Sequence, residues 1–447
     1  MNHSTPARAR TFTWPQYVAL LICALSLALL GPGFARTMEP VLVPPGDFFQ
    51  DWASARNLTL GRPIYGNLRT AAQDYLHLDL SDKVVDGMVD INGHPPTSVW
   101  LALPLAHIEY RTAFRIWDPV SLGLFVASLV MIGRELGYRL SLVTCATTVA
   151  LALLCNPLRQ LLAQGQFGGV LLFLLTAAWV ADRKGRGAAA GVCVALATAI
   201  KLYPGLILAY WLLAGRWSQL KTAVLTLVAI AAATVAVMGF ESLLVYVRDV
   251  MPGMNYWYDS GLNVSLTGFW HRLFHGPDSV FIPLVADARL ARLGTAVSSL
   301  AVLGLWGAIA YRSRRDPLPD QAWATSLLAM TLLSPLVWDH SLVVLALPLA
   351  LVWRDTAGEP LKRTILVIAV AALWLSPVLI WRFFLGARFG RTFLSPTESL
   401  TLFSFQFYAL AILFAVASRQ AWIALAAKPA PRLAAPAEPA AAYVASA

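Results

Sequence analysis

Apolar runs close to the length of a membrane crossing, about 20 residues each, recur along almost the whole chain and are separated by short polar stretches. Lys/Arg clusters punctuate them at Arg8/Arg10, Arg134/Arg139, Arg183/Lys184/Arg186, Arg216/Lys221, Arg312/Arg314/Arg315, Arg354/Lys362/Arg363 and Arg419/Lys428. If each cluster faces the cytoplasm, the chain between consecutive clusters must cross an even number of times. The runs pair accordingly as helical hairpins: 140–156 with 166–180, 187–200 with 202–214, 222–239 with 295–310, 323–337 with 342–353, and 364–380 with 401–417.

The stretch 94–133 must cross an odd number of times and reads as a short half-helix over 95–107 followed by one full span. The first run, 17–34, follows Arg8 and Arg10 as a signal peptide would. It is long enough to span and lacks a small-x-small cleavage site before Asp47, so it reads as a retained first helix. The pattern thus predicts an all-α membrane protein, a polytopic bundle of about 12 transmembrane helices with both ends inside. Residues 1–16 form its cytoplasmic N-terminus and 17–427 the transmembrane domain, and 428–447 form an Ala/Pro-rich cytoplasmic tail expected to be disordered.

The stretch 35–96 is too long for a connector. It holds Glu39, Asp47, Asp51, Asp74, Asp79, Asp82, Asp86 and Asp90 against five basic residues, a balance that places it outside. Within it Phe48, Phe49, Trp52, Ala55 and Leu58 recur at helical spacing, which predicts an amphipathic helix with its apolar face toward lipid or toward the bundle. Composition fits a membrane protein: of 447 residues 58% are hydrophobic and 13% charged, roughly half the soluble average. The net charge of +10 suggests an anionic partner such as nucleic acid only until the clusters are assigned to topology, which accounts for most of it and removes nucleic acid from consideration. Cys23, Cys145, Cys155 and Cys193 all lie in apolar runs without CxxC spacing, and are expected to be buried thiols.

On this topology the polar, distinctive stretches with few basic residues collect on the outer side. They are Asp47/Asp51, His94-Pro95-Pro96, Gly165-Gln166, the KLYP segment Lys201 to Pro204, the segment around Asn263, and SPLVWDH from Ser334 to His340. Such clustering suits a catalytic face at the membrane boundary. Lys201 joins two apolar runs that are each short for a span. Tyr203 and Pro204 beside it suggest a broken helix lining a cavity, where a cation would meet a lipid phosphate; a lysine snorkelling to the interface fits the same position.

Asp47 with Gln50 has capping-box spacing, and Asp51 one turn later would share its face, so the two carboxylates are either ordinary helix-surface charges or a general-base pair. Gln166 opens a helix whose amides would favour an anion. His340, after Trp338 and Asp339, would reach phosphate or sugar hydroxyls, or belong to an interfacial aromatic belt. His271, Arg272 and His275 read as a solvated face. The chain has no Walker loop, GxSxG or HExxH, which excludes a nucleotide-driven pump, a serine hydrolase and a zinc protease.

Five motifs in order, DFFQDWASARNLTLGRPIY (47–65), HPPTSVWLALPLA (94–106), GQFGGVLLFLL (165–175), GRGAAAGVCVALATAIKLYPGLIL (185–208) and SPLVWDHSLVVL (334–345), resemble glycosyltransferase family 87. These are integral-membrane enzymes of the GT-C superfamily, known chiefly as polyprenyl-phosphate-mannose-dependent mannosyltransferases. The resemblance runs over roughly 17–417. It implies that Asp47 is the catalytic base, with Asp51 as the alternative, that Lys201 lies near the donor phosphate, and that Gln166 and His340 line the same cavity. Tyr203 joins the phosphate-binding set, and Trp338, His94 and Asn263 join His340 around sugar or acceptor. Ser341 stands where relatives often carry a second histidine and Asp51 where an aromatic is more usual, differences that bear on the acceptor.

The implied reaction moves a sugar, mannose in most of the family, from a polyprenyl-phosphate sugar to a hydroxyl of a glycolipid, polysaccharide or protein. Transfer takes place at the outer face of the plasma (inner) membrane, with inversion and with no cofactor or metal, and would build a cell-envelope glycan. The rival readings are a secondary transporter or a flippase of lipid-linked or anionic substrates. A transporter's site should lie near mid-membrane, with internal repeats.

Overall fold

The computed structural model describes residues 13–42, 45–79, 90–274, 280–316, 320–376, 379–380, 382–383 and 393–427. Arg8, Arg10, Asp82, Asp86, His275, Lys428 and the Ala/Pro-rich tail lie outside the described residues. Those described are helical throughout, with isolated two-residue bridges and no strand.

The chain order begins with α1 (Trp14–Thr37), α2 (Phe48–Thr59), α3 (Leu68–Leu76), a short α4 (Val99–Ala102) between 3-10 turns, and α5 (Tyr110–Glu135). Next come α6 (Leu142–Leu154), α7 (Asn156–Gln164), α8 (Gly168–Arg183), α9 (Gly187–Ile200), α10 (Leu206–Ala214) and α11 (Trp217–Met238). The second half holds the short α12 (Phe240–Val245) and α13 (Met251–Gly253), then α14 (Leu266–Phe274), α15 (Ala288–Arg312), α16 (Asp320–Leu333), α17 (Ala346–Asp355) and α18 (Pro360–Trp374). It closes with a short helix, Pro396–Thr401, and a last long one, Phe405–Ala427.

Among the described residues five helical segments are long and apolar enough to cross a membrane: α1, α5, α11, α15 and the segment ending in the last helix. The pair α6–α7, bent by 63°, makes a sixth if it is one span. The other predicted runs are filled by shorter helices, because the chain breaks at KLYP and again at SPLVWDH. The half-helix read at 95–107 is a broken segment of 3-10 turns around α4, after which α5 runs unbroken for 26 residues. The 156–164 stretch, which the periodicity leaves as a connector, folds as α7 with Pro157 in its first turn, where a missing N–H costs nothing.

The amphipathic helix of the acidic stretch, α2, turns its apolar face to the bundle. Phe48, Phe49, Trp52 and Ala55 are buried, Phe48 stacks on Trp117 of α5 at 5.2 Å, and Phe49 meets Tyr110 edge-on at 5.3 Å. Asp47 is not a capping-box residue: its backbone is already helical (φ −59°, ψ −29°) and its side chain makes no cap bond. Two further expectations are corrected. Cys145 is exposed on α6, and the four thiols are free. Arg272 is buried, donating to the carbonyls of Ser260 and Asn263 and to Ser404 Oγ, since the 260–274 segment folds back over it.

Residues from several basic clusters converge at one end of the bundle on buried acids. Asp320 accepts from Trp179 Nε1 (2.9 Å), Arg354 Nη1 (2.7 Å) and Arg183, and Arg183 also reaches Glu135 (3.0 Å). Asp182 accepts from Gln219 (2.7 Å) and Trp323 (2.8 Å), with Arg216 3.5 Å away. The C-termini of α5, α8 and α17 and the N-termini of α11 and α16 therefore lie on the same side.

Candidate active site

Three breaks in the helical pattern build the site. The first is Gly165, which ends α7 in the left-handed conformation (φ +63°) that an L side chain rarely adopts. A Cβ there would stand 2.7 Å from Phe48 Cβ, so the glycine lets α2 seat against the α7–α8 corner and brings Gln166 level with Asp47. Gly165→Ala should destabilise the fold by roughly 1–2 kcal/mol from the left-handed backbone alone. An unchanged unfolding midpoint in detergent would contradict this account of the corner.

The second break is KLYP. Pro204 has no N–H for the Ile200 carbonyl four residues earlier and its ring would crowd that carbonyl; α9 stops at Ile200, Lys201 turns extended (φ −141°, ψ 136°), and Tyr203–Gly205 form a 3-10 turn. The third is SPLVWDH, where α16 ends and a 3-10 segment, Asp339–Leu345, packs against α7 and α8.

Gln166 joins the first two breaks. Its Nε2 donates to Asp47 Oδ2 at 2.6 Å and its Oε1 accepts from Lys201 Nζ at 2.9 Å. The amide orientation follows from its neighbours, since only the NH2 group serves a carboxylate and only the oxygen serves an ammonium. Gln50 Nε2 reaches Asp47 Oδ1 at 3.2 Å while its Oε1 takes the Gly93 N–H at 3.1 Å. Asp47 is half-buried and Gln166 is buried. Lys201 lies within electrostatic reach of both Asp47 and Asp51.

Asp51 is placed differently. It is fully buried (0% exposed) and accepts from Ser98 Oγ (2.6 Å) and Asn92 Nδ2 (3.3 Å), with His94 Nδ1 2.7 Å from its other oxygen. The i, i+4 relation thus yields two carboxylates with separate partners. Tyr65 donates to the His94 carbonyl (2.8 Å). Burial, followed by Tyr246 and Asp51, pushes its phenol up, so it stays a donor.

His340 is buried in the turn before α17, and its Nε2 has no hydrogen-bond partner among the described residues. Burial, with Lys201 and His94 in electrostatic reach, pushes its imidazole well below the usual range, so it is neutral there. Asp339 beside it accepts from Asn156 at 3.0 Å, and burial raises its carboxyl to about 6. A carboxyl raised from 3.8 to about 6 binds its proton more tightly in the folded state. Its contribution therefore falls as pH rises from about 4 through 6. Thermal unfolding followed against pH should show this decline, and Asp339→Asn should flatten it.

Tyr203 faces Ser334, Val337 and Ser341 across a narrow crevice. Trp338 meets Trp257 edge-on at 6.0 Å. The Asn263 side chain is spent on backbone, donating to the carbonyls of Tyr258 and Pro335 and accepting from Ser265 and Val337, so it pins SPLVW to the loop before α14. Between α4, α9 and α11 an apolar cavity of about 280 Å³ lies beside the HPPT and KLYP segments, lined by Trp100, Leu101, Leu196, Ala199, Ile200 and Ile230 among others. Sequence reasoning takes Gln50 only as a capping partner and misses Asn92 and Ser98. Both of the latter flank His94 in NGHPPTS, but nothing in their spacing points to Asp51.

An all-helical bundle with several membrane-length helices and a carboxylate–amide–lysine chain at its helix breaks defines a polytopic membrane protein with an enzyme-like polar site. The family model for glycosyltransferase family 87 matches residues 93–337, more than half of the chain. The chain belongs to that family and is a membrane glycosyltransferase. Neither a curated protein nor a solved structure matches it.

Proposed function

We propose that the protein is a GT-C type enzyme of about 12 crossings that transfers a sugar, mannose, from a polyprenyl-phosphate sugar to an acceptor hydroxyl at the outer face of the plasma membrane, inverting the anomeric carbon. The observation that carries this reading is the Asp47–Gln166–Lys201 chain, which sets a carboxylate and a cation on either side of one amide.

Asp47 is the base because its half-buried carboxylate leaves lone pairs for an acceptor hydroxyl, whereas the oxygens of Asp51 are engaged and fully buried. As the hydroxyl oxygen attacks the anomeric carbon its proton passes to Asp47. The carbon–oxygen bond to phosphate breaks, and its electron pair leaves on the phosphate, held by Lys201. Tyr203 stands beside that group, His340 and Trp338 border the sugar, and the prenyl chain leaves along the apolar cavity beside Ile200.

The test is incubation of the protein in nanodiscs with a panel of radiolabelled polyprenyl-phosphate sugars and membrane lipids of its source. Transfer of label to a lipid or glycan, dependent on Asp47, supports the reading. Movement of intact label across the bilayer without transfer would replace it by the flippase alternative.

A further inference from the structure

The function above leaves Asp51 and His94 without chemistry, although they make one of the shortest polar contacts in the site. Asp51 accepts at His94 Nδ1 (2.7 Å) while Ser98 and Asn92 hold its other oxygen. Asn92 Oδ1 also takes the His94 backbone N–H (2.9 Å). With its carboxylate so fixed, Nδ1 keeps a hydrogen whether the ring is neutral or charged, and Nε2 is the nitrogen that gains or loses a proton. The ring packs on Phe167, the residue after Gln166, at 5.4 Å between centroids. Three residues along, Thr97 Oγ1 donates to the Ala199 carbonyl, two residues before Lys201. This bond ties the segment after His94 to the end of α9 just before Lys201, and His340 lies within electrostatic reach of both residues.

We propose that His94, oriented by Asp51, is the second hydrogen-bonding cation for the donor phosphate, its protonated Nε2 sharing that group with Lys201 Nζ. The inference rests on the placement of the phosphate at Lys201 and goes beyond it. A phosphodiester that leaves as a monoester gains charge, and two N–H donors held in place stabilise that charge better than one. Asp51 is then a positioning residue: it sets the ring and its negative charge offsets the second cation, so that Lys201 and an imidazolium can stand side by side. The other titratable groups facing this site are Asp47 on α2, Tyr65, Lys201 and His340. Tyr65 is shifted upward and His340 downward, so neither changes charge near neutrality; burial lowers Lys201 as well, so Lys201 is the group whose pH dependence the His94→Gln variant must separate from that of His94.

The experiment is binding of a prenyl methyl phosphodiester, whose single charge does not titrate near neutrality, to the full-length protein in nanodiscs over a series of pH values. In the wild type the affinity should fall about tenfold between the low-pH form, with His94 Nε2 protonated, and the high-pH form without that proton, the value of one charged hydrogen bond. His94→Gln should bind at the weak high-pH level at every pH. Asp51→Asn should lose most of the pH-dependent part and keep the rest. Where His94→Gln shifts the unfolding midpoint, His94→Asn serves as the second variant.

Binding that does not vary with pH in the wild type, or that varies equally in His94→Gln, overturns the role of His94 while leaving the donor site standing. No binding at any pH, or binding untouched by Lys201→Ala, overturns the donor reading and this inference together.

Discussion

Asp47→Asn should lower sugar transfer by roughly 10²- to 10⁴-fold, the range expected for loss of a positioned general base, while donor affinity stays within a few-fold of wild type. The substitution keeps the shape of the side chain and an oxygen for the short Gln166 Nε2 bond, and gives up only the longer acceptor bond from Gln50 Nε2, so the corner between α2 and α8 keeps its main contact. What it removes is proton affinity. Turnover under donor saturation, with donor binding measured separately, checks both halves. Normal turnover in Asp47→Asn would sink the assignment of the base, and equal loss of binding and turnover would mean that Asp47 acts by ordering the site.

Lys201→Ala should act on the other end of the same chain. Removing one anion-stabilising donor from a reacting site costs roughly 3–4 kcal/mol, or about 10²- to 10³-fold, here in affinity for the prenyl phosphate as well as in rate. The pH profile should change less than the affinity does, because the variant still carries Asp47. Isothermal titration of the phosphodiester against wild type and variant reads it directly. Unchanged affinity would leave Lys201 as an interfacial lysine that happens to meet Gln166. The structure already ties it down, with its ammonium 2.9 Å from Gln166 Oε1 at a helix end.

Asp47, Gln166 and Lys201 were legible because each is a polar residue at the edge of an apolar run, where a side chain with no partner is costly. Their meeting was not, since α2 and the α7–α8 corner are more than a hundred residues apart in sequence. The pairing of Asp47 with Asp51 stays open in the sequence for a related reason: helical spacing places two carboxylates on one face but says nothing of the Ser98 and Asn92 groups that claim the second. Arg272 shows the limit of reading polarity as solvation, because backbone carbonyls of a folded loop can satisfy a guanidinium as water does. Among spans, long apolar helices such as α5 and α11 follow from hydropathy, whereas the bend between α6 and α7 depends on Cys155 leaving helical geometry before Pro157.

The acid cluster at the arginine-rich end also bears on how the chain is made. Asp320 is served by Arg183 and Trp179, synthesised before it, and by Arg354, which follows on a later helix. During synthesis the early arginine can hold the carboxylate, but the second charge arrives only once the chain through α17 has been inserted. Completion of this cluster is thus a late event in biogenesis, and chains ending before residue 354 would present Asp320 with one of its two arginine partners missing to the machinery that retains or degrades unfinished membrane proteins.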